Sequence, residues 1–218
     1  MYKNIVFDLG GVVVGFDPLN YLADRFRDEA LESELFRITF ASNEWRKMDA
    51  GELTREQAEH EMLQVAKKAG HYFEVQAILD DWTSMLRTQH SVVSIIKQMK
   101  KSGYNVYFLS NISRDILNLI EQRDFWHLFD GGVASCEILV NKPSPQIYET
   151  LLSRYDLKKE ETLFTDDNPV NVKAAYDLGI TAIQFQGAES LLKSFTAYGV
   201  KMKRTAASFR KNKTKKKH

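Results

Sequence analysis

The chain has 218 residues, 44% of them hydrophobic and 27% charged, with a formal net charge of +1; that profile is an ordinary soluble globular chain with room for one core and a modest insertion. The opening apolar run is too short for a signal peptide and carries Asp8 inside it, and no apolar stretch approaches the roughly 20 residues that span a bilayer, so no membrane partner is expected. Cys136 is the single cysteine, which excludes an intrachain disulfide and a thiolate metal cage; it reads as a small core residue, and the chain as cytoplasmic.

Charge is unevenly spread. Nine of the 30 Lys and Arg and no acid fall in residues 201–218, which leaves 21 basic against 29 acidic residues, about −8, for residues 1–200. A negative body repels polyanions, so nucleic acid is not expected as a partner. The basic tail has Phe209 as its one aromatic and reads as a solvated terminus.

Ile5-Val6-Phe7 is a short buried strand running into Asp8-Leu9-Gly10-Gly11, a turn. Residues 19–88 then become almost purely helical. Leu22 and Phe26 share one helix face, as do Leu31, Leu35 and Phe36, and then Ala58, Met62, Val65 and Ala66. Thr54 with Gln57 three residues on is a capping box for that run, and Gly70 stands where a C-cap belongs. A further helix is predicted over 73–87, with Ile78, Leu79, Trp82 and Leu86 inward. Trp45, Arg46 and Asp49 fall in a predicted loop before Gly51, as candidates for facing a pocket.

From Val92 the pattern alternates. A helix through Ile95, Ile96 and Met99 stops near Gly103, and a β-rich run over 104–109 ends in Ser110-Asn111. A helix over 114–121 follows, with Ser113 as its predicted N-cap. Next come a strand at Val133-Ala134, a helix over 145–154 and a strand over 162–165 ending in Asp166-Asp167. A helix over 169–178, closed by Gly179, precedes the last strand at 180–185. Strands spaced by helices of this length imply right-handed crossovers and a three-layer, Rossmann-like, doubly wound parallel sheet. Residues 1–16 and 89–200 would form that core, residues 17–88 an inserted all-helical cap and residues 201–218 the tail.

Three strands end in polar groups: Asp8, Ser110 and Asp166-Asp167. Ligands of an open α/β sheet bind outside the carboxyl ends of its strands, so these groups, with Lys142 ahead of the fourth strand, describe one pocket. Singly each could be a turn former, a helix cap or a solvated side chain. Order and common position argue for a site.

Four motifs carry a resemblance. They are Phe7-Asp8-Leu9-Gly10-Gly11-Val12-Val13, Leu109-Ser110-Asn111, Lys142-Pro143-Ser144-Pro145, and Phe164-Thr165-Asp166-Asp167-Asn168 with Asn171. Over about residues 3–190 the chain resembles the haloacid-dehalogenase-like hydrolase superfamily, subfamily I, which has a helical C1 cap. The resemblance implies a Mg²⁺-dependent phosphatase acting on a small phosphate monoester. Asp8 would be its nucleophile, forming an aspartyl-phosphate that water later hydrolyses. Mg²⁺ would take oxygen ligands from Asp8, the Gly10 carbonyl and Asp167, with Asp166 ligating directly or through a metal water and Asn171 orienting this shell. Ser110 and Asn111 would hydrogen-bond phosphate oxygens, and Lys142 would neutralise them and Asp8. The protein is expected to be a monomer or dimer.

One departure stands out. Most phosphatases of this family carry a second Asp two residues after the nucleophile as general acid and base, and here that position is Gly10. Loss of such a group usually costs ~10²–10⁴-fold in rate. Two alternatives follow: a metal-independent 2-haloacid dehalogenase, or a non-catalytic phosphate-binding homologue. The Asp166-Asp167 pair argues against the first. A family branch with the same Asp-Leu-Gly opening includes sugar-1-phosphate phosphatases, whose acidic leaving groups suit a site without an acid. Asp17 is the nearest downstream carboxylate and could serve through water, or could cap the first cap helix beside Pro18.

Overall fold

The computed structural model describes residues 1–203, so residues 204–218, most of the basic tail, lie outside the described residues. Along strand β1 (Asn4–Phe7), Ile5 and Phe7 enter one hydrophobic cluster and Val6 another, as the two-residue period of a strand requires. Both faces are therefore buried, at ~1.5–3 kcal/mol for each fully buried large side chain. The helical run that follows comprises α1 (Pro18–Phe26), α2 (Glu29–Ile38), α3 (Asn43–Asp49), α4 (Arg55–Ala69) and α5 (Tyr72–Asp81).

The alternating half continues with α6 (His90–Ser102), β2 (Asn105–Ser110), α7 (Arg114–Glu121), β3 (Gly131–Ala134), α8 (Ser135–Ile138) and α9 (Pro145–Arg154). It ends with β4 (Thr162–Asp166), α10 (Pro169–Asp177), β5 (Thr181–Gln184) and α11 (Ala188–Ala197). The five strands form one all-parallel sheet in the order β3-β2-β1-β4-β5. Val6, Tyr107, Leu109 and Phe164 pack on α9 and α10, whereas Ile5, Phe7, Phe108 and Leu163 face α6, α7 and α11. That is the expected three-layer α/β arrangement.

The second cluster does not stop at the sheet. It runs on through Val12, Val13 and Val14 to Leu22, Leu35, Met62 and Ile78 of the inserted helices. The chain leaves and re-enters the sheet layer side by side, because Val14 pairs antiparallel with Thr88. Gly15 N donates to Arg87 O at 2.7 Å, and Gln89 N to Val13 O at 2.9 Å.

Several predicted boundaries move. Residues 43–49, predicted as loop, form α3: Ser42 Oγ caps it by accepting from Trp45 N at 3.0 Å, and Trp45 and Met48 are buried. The helix predicted over 73–87 is α5 followed by a 3₁₀ turn at Trp82–Met85. The Thr54–Gln57 capping box forms in both directions and Gly70 closes α4 with φ 84°, as predicted. Ser113 stands at the α7 N-cap, but its hydroxyl donates to Asp115 instead of capping the backbone. No helix among the described residues is long and apolar enough to cross a membrane. The chain at Lys201–Lys203 is held down: Lys201 N donates to Tyr104 Oη and Lys203 N to Ser102 Oγ, both at 2.9 Å, and Met202 packs on the core.

Candidate active site

Strand order puts the chemistry in the centre. β1 lies between β2 and β4, so Asp8, Ser110 and Asp166 emerge at three adjacent carboxyl ends. The connections run one way from β1 to β3 and the other way from β4 to β5, which makes the crevice beside β1 the topological switch point.

Lys142 ties the strand ends together. Its ammonium is buried and places its three N–H groups on Leu109 O at 2.8 Å, Asp166 Oδ2 at 2.6 Å and Asp8 Oδ2 at 3.0 Å, which uses its full donor capacity. Burial works against that charge, yet Asp8 and Asp166 hold the ammonium's pKa above the ordinary lysine value. The Asn111 side chain fixes the lysine's backbone reciprocally: Nδ2 donates to Lys142 O at 2.9 Å and Oδ1 accepts from Lys142 N at 2.7 Å. The amide predicted to bind phosphate is thus engaged in placing Lys142.

Both Asp166 oxygens are occupied. Oδ1 accepts from Asn168 N at 2.9 Å and Asn171 Nδ2 at 3.1 Å, and Oδ2 accepts from Asn171 Nδ2 at 3.2 Å besides Lys142. Asp167 is more accessible and rests against Gly11, where any Cβ would run into its carboxylate; Gly11 also has φ +74°, so glycine is required there twice over. One oxygen each from Asp8, Asp166 and Asp167 lies within 4.8 Å of the others. Burial, with the charges of Asp166 and Asp167, raises the Asp8 pKa to about 8 against the pull of Lys142, and burial with Asp166 raises that of Asp167. Three carboxylates facing one ammonium leave an excess of negative charge, which fits a divalent cation with oxygen ligands.

Next to these groups lies a small cavity of about 60 Å³, whose lining includes none of Asp8, Lys142, Asp166 and Asp167. Its floor is Gly10, Ser110 and Asn111, and its walls are mostly apolar, with Phe16, Trp45, Trp82, Ile112 and Ile116 among them. Trp45 and Trp82 meet edge to face with ring centroids 4.8 Å apart, and Phe16 stacks on Trp45 at 6.1 Å. Asp49 lines this cavity, whereas Arg46 does not: it faces a separate surface hollow, where its carbonyl accepts from Asn141. Asp17 lies outside the cavity too: it lines a separate hollow with Gly11 and Asp167 and caps α1 by accepting from Asn20 N at 3.2 Å. Sequence reasoning missed Ile112, Ile116 and Ile120 as wall residues, since their spacing reads equally as a core face. It also missed Ser135, whose hydroxyl accepts from Ile112 N at 2.9 Å and donates to Asp49 O. Cys136 is free and buried, as expected of a small core residue.

A parallel α/β sheet with three carboxylates and a buried lysine gathered at its switch point has the architecture of an α/β enzyme. The chain belongs to the haloacid dehalogenase-like hydrolase family, whose model matches residues 2–179. It is 28% identical over 183 residues to the sesquiterpene phosphatase of Aspergillus oryzae, covering 84% of this chain and 89% of that protein. It is 25% identical to the D-ribitol-5-phosphate phosphatase of Bacteroides thetaiotaomicron, covering 84% and 92%. Among solved structures, a family enzyme from Bacteroides thetaiotaomicron in complex with magnesium and inorganic phosphate superposes with a TM-score of 0.64 at 22% identity, covering 84% and 94%.

Proposed function

We propose that this protein is a cytoplasmic Mg²⁺-dependent phosphatase that hydrolyses a small phosphate monoester through an aspartyl-phosphate on Asp8. The observation that carries the reading is the cluster of Asp8, Asp166 and Asp167, with the buried ammonium of Lys142 bound to the first two. Asp8, Asp167 and the Gly10 carbonyl would hold the ion beside Asp166; bound there, it supplies the positive charge a phosphoryl dianion needs. The remaining work belongs to the chain. Asp8 attacks phosphorus, Lys142 keeps it oriented and balances the incoming phosphate, and the Ser110 hydroxyl donates to a phosphate oxygen. Asn171 and Asn111 hold Asp166 and Lys142 in place.

The cavity walls bear on substrate choice. Besides Ser110 and Asn111, the hydrogen-bonding side chains of the lining are Asp49, Ser113 and the indole N–H groups of Trp45 and Trp82, of which the Trp82 N–H is buried without a partner. Every sugar hydroxyl buried without a partner would cost ~1–3 kcal/mol, so the walls favour an ester with an apolar body over the sugar 1-phosphate implied by motif one. The related sesquiterpene phosphatase is consistent with that preference.

Phosphate release from p-nitrophenyl phosphate, with Mg²⁺ and then with EDTA, tests the function. Asp8→Asn is expected to keep the fold and lose turnover by at least ~10³-fold, because an amide cannot attack phosphorus. Asp167→Ala should lose both activity and Mg²⁺ response. Turnover that is indifferent to EDTA would replace this reading with a metal-independent one.

A further inference from the structure

Gly10 leaves the core without the acid that most family phosphatases place there; the sequence offered Asp17 as a substitute and Asp49 only as a candidate for facing a pocket. Asp17 lines a separate hollow with Gly11 and Asp167, but both its oxygens accept from Asn20 at the start of α1, and it does not line the cavity. Among the described residues, Asp49 is the one carboxylate in the cavity lining, and it shares that lining with Gly10, Ser110 and Asn111. Its position is fixed from two sides. Ser135 Oγ donates to the Asp49 carbonyl and accepts from Ile112 N, so one hydroxyl joins the end of α3 to the loop that follows Ser110. Gly51, two residues on, has φ +76° and approaches the Cys136 backbone so closely that any side chain there would collide with it.

Resting on the phosphatase reading above, we propose that Asp49 is the general acid and base of this site, reaching the departing ester oxygen from the helical insertion rather than from the sheet. In the first step the Asp8 carboxylate bonds to phosphorus and the P–O bond to the leaving group breaks. The Asp49 proton passes to that oxygen, releasing a neutral alcohol. In the second, water attacks the aspartyl-phosphate, Asp49 takes its proton, and phosphate leaves as the Asp8 carboxylate is restored. The groups facing Asp49 suit the role. Arg55 of α4 and Lys142 favour its charge, while Asp115 of α7 opposes it, and the Cys136 thiol of α8 is also within electrostatic reach. Burial outweighs the Trp45 hydrogen bond and the two cations and pushes its pKa to about 7, so near neutrality it can both give and receive a proton.

The experiment compares the full-length parent with Asp49→Asn on phosphate esters of graded leaving-group acidity, from p-nitrophenyl to simple alkyl phosphates. Asn matches Asp in shape, and equal melting temperatures would establish that the fold is kept. Alkyl esters should lose ~10²–10⁴-fold in kcat, while p-nitrophenyl phosphate, whose anion leaves unaided, should lose less than about tenfold in the bond-breaking step, read from the single-turnover burst. The parent's decline in alkyl-ester rate above about pH 7 should vanish in Asp49→Asn. Equal losses for all leaving groups would make Asp49 a positioning residue and overturn the proposal, as would no loss at all. If the parent released no phosphate from any ester with Mg²⁺, the phosphatase reading itself would fall, and this proposal with it.

Discussion

At the scale of single residues, the site is a problem of buried charge. A lone buried ammonium would be untenable, but Lys142 meets a carbonyl and two carboxylates, and removing one partner from such a set typically costs ~3–5 kcal/mol. Gly10 is the informative gap. A Cβ there would meet nothing nearer than Phe16 Cβ at 3.8 Å, an ordinary contact, so the backbone at residue 10 has room for a Cβ. Gly10→Asp introduced into the Asp49→Asn protein should therefore restore much of the lost alkyl-ester turnover, by at least ~10-fold over Asp49→Asn alone. The check is kcat for one alkyl phosphate across the parent and the two variants. No recovery, with a folded protein and intact Mg²⁺ response, would mean that a side chain at residue 10 cannot reach the leaving oxygen.

Among elements, α3 decides the pocket. It is only seven residues long, and Trp45 and Met48 are its buried apolar positions, one turn apart. Ser42 starts it by satisfying the Trp45 amide, and Asp49 ends it against α8. An N-cap serine replaced by alanine usually costs ~1 kcal/mol, which for a chain of this size is a fall of ~2–4 °C in melting temperature. Ser42→Ala should show that fall, together with faster hydrogen exchange of the Trp45 amide and a raised KM for bulky apolar esters. An unchanged melting temperature and KM would mean that Trp45, packed against Phe40 and Trp82, holds α3 without its cap.

At the scale of the molecule, one hydrophobic cluster joins the sheet to the inserted helices, while the covalent links are two paired segments at Val14 and Thr88. The far end behaves differently. Met202 and the Lys201 and Lys203 amides attach to the body. Ending the chain after Lys203 is therefore expected to leave both specific rate and melting temperature unchanged, whereas ending it after Val200 should lower the melting temperature by a few degrees. A large loss of rate on the first truncation would assign the basic tail a role in catalysis.

What the amino-acid sequence determined by itself was the framework. Short apolar runs ending in Asp8, Ser110 and Asp166 specify parallel strands with chemistry at their carboxyl ends, because strand periodicity and crossover handedness are local or topological rules. Capping at Thr54 and Gly70 was legible for the same reason. Residues 43–49 were not, since two apolar side chains one turn apart carry too little periodicity to separate a short helix from a loop. Tertiary structure alone decided which apolar residues line a cavity and which fill a core, as Ile116 and Ile120 show. It also decided that Asp49, some 40 residues from Asp8 in the chain, shares one cavity lining with Gly10. Trp45, Asp49 and Trp82 of the helical run meet Gly10 and Ser110 in that lining, and no local pattern encodes the approach.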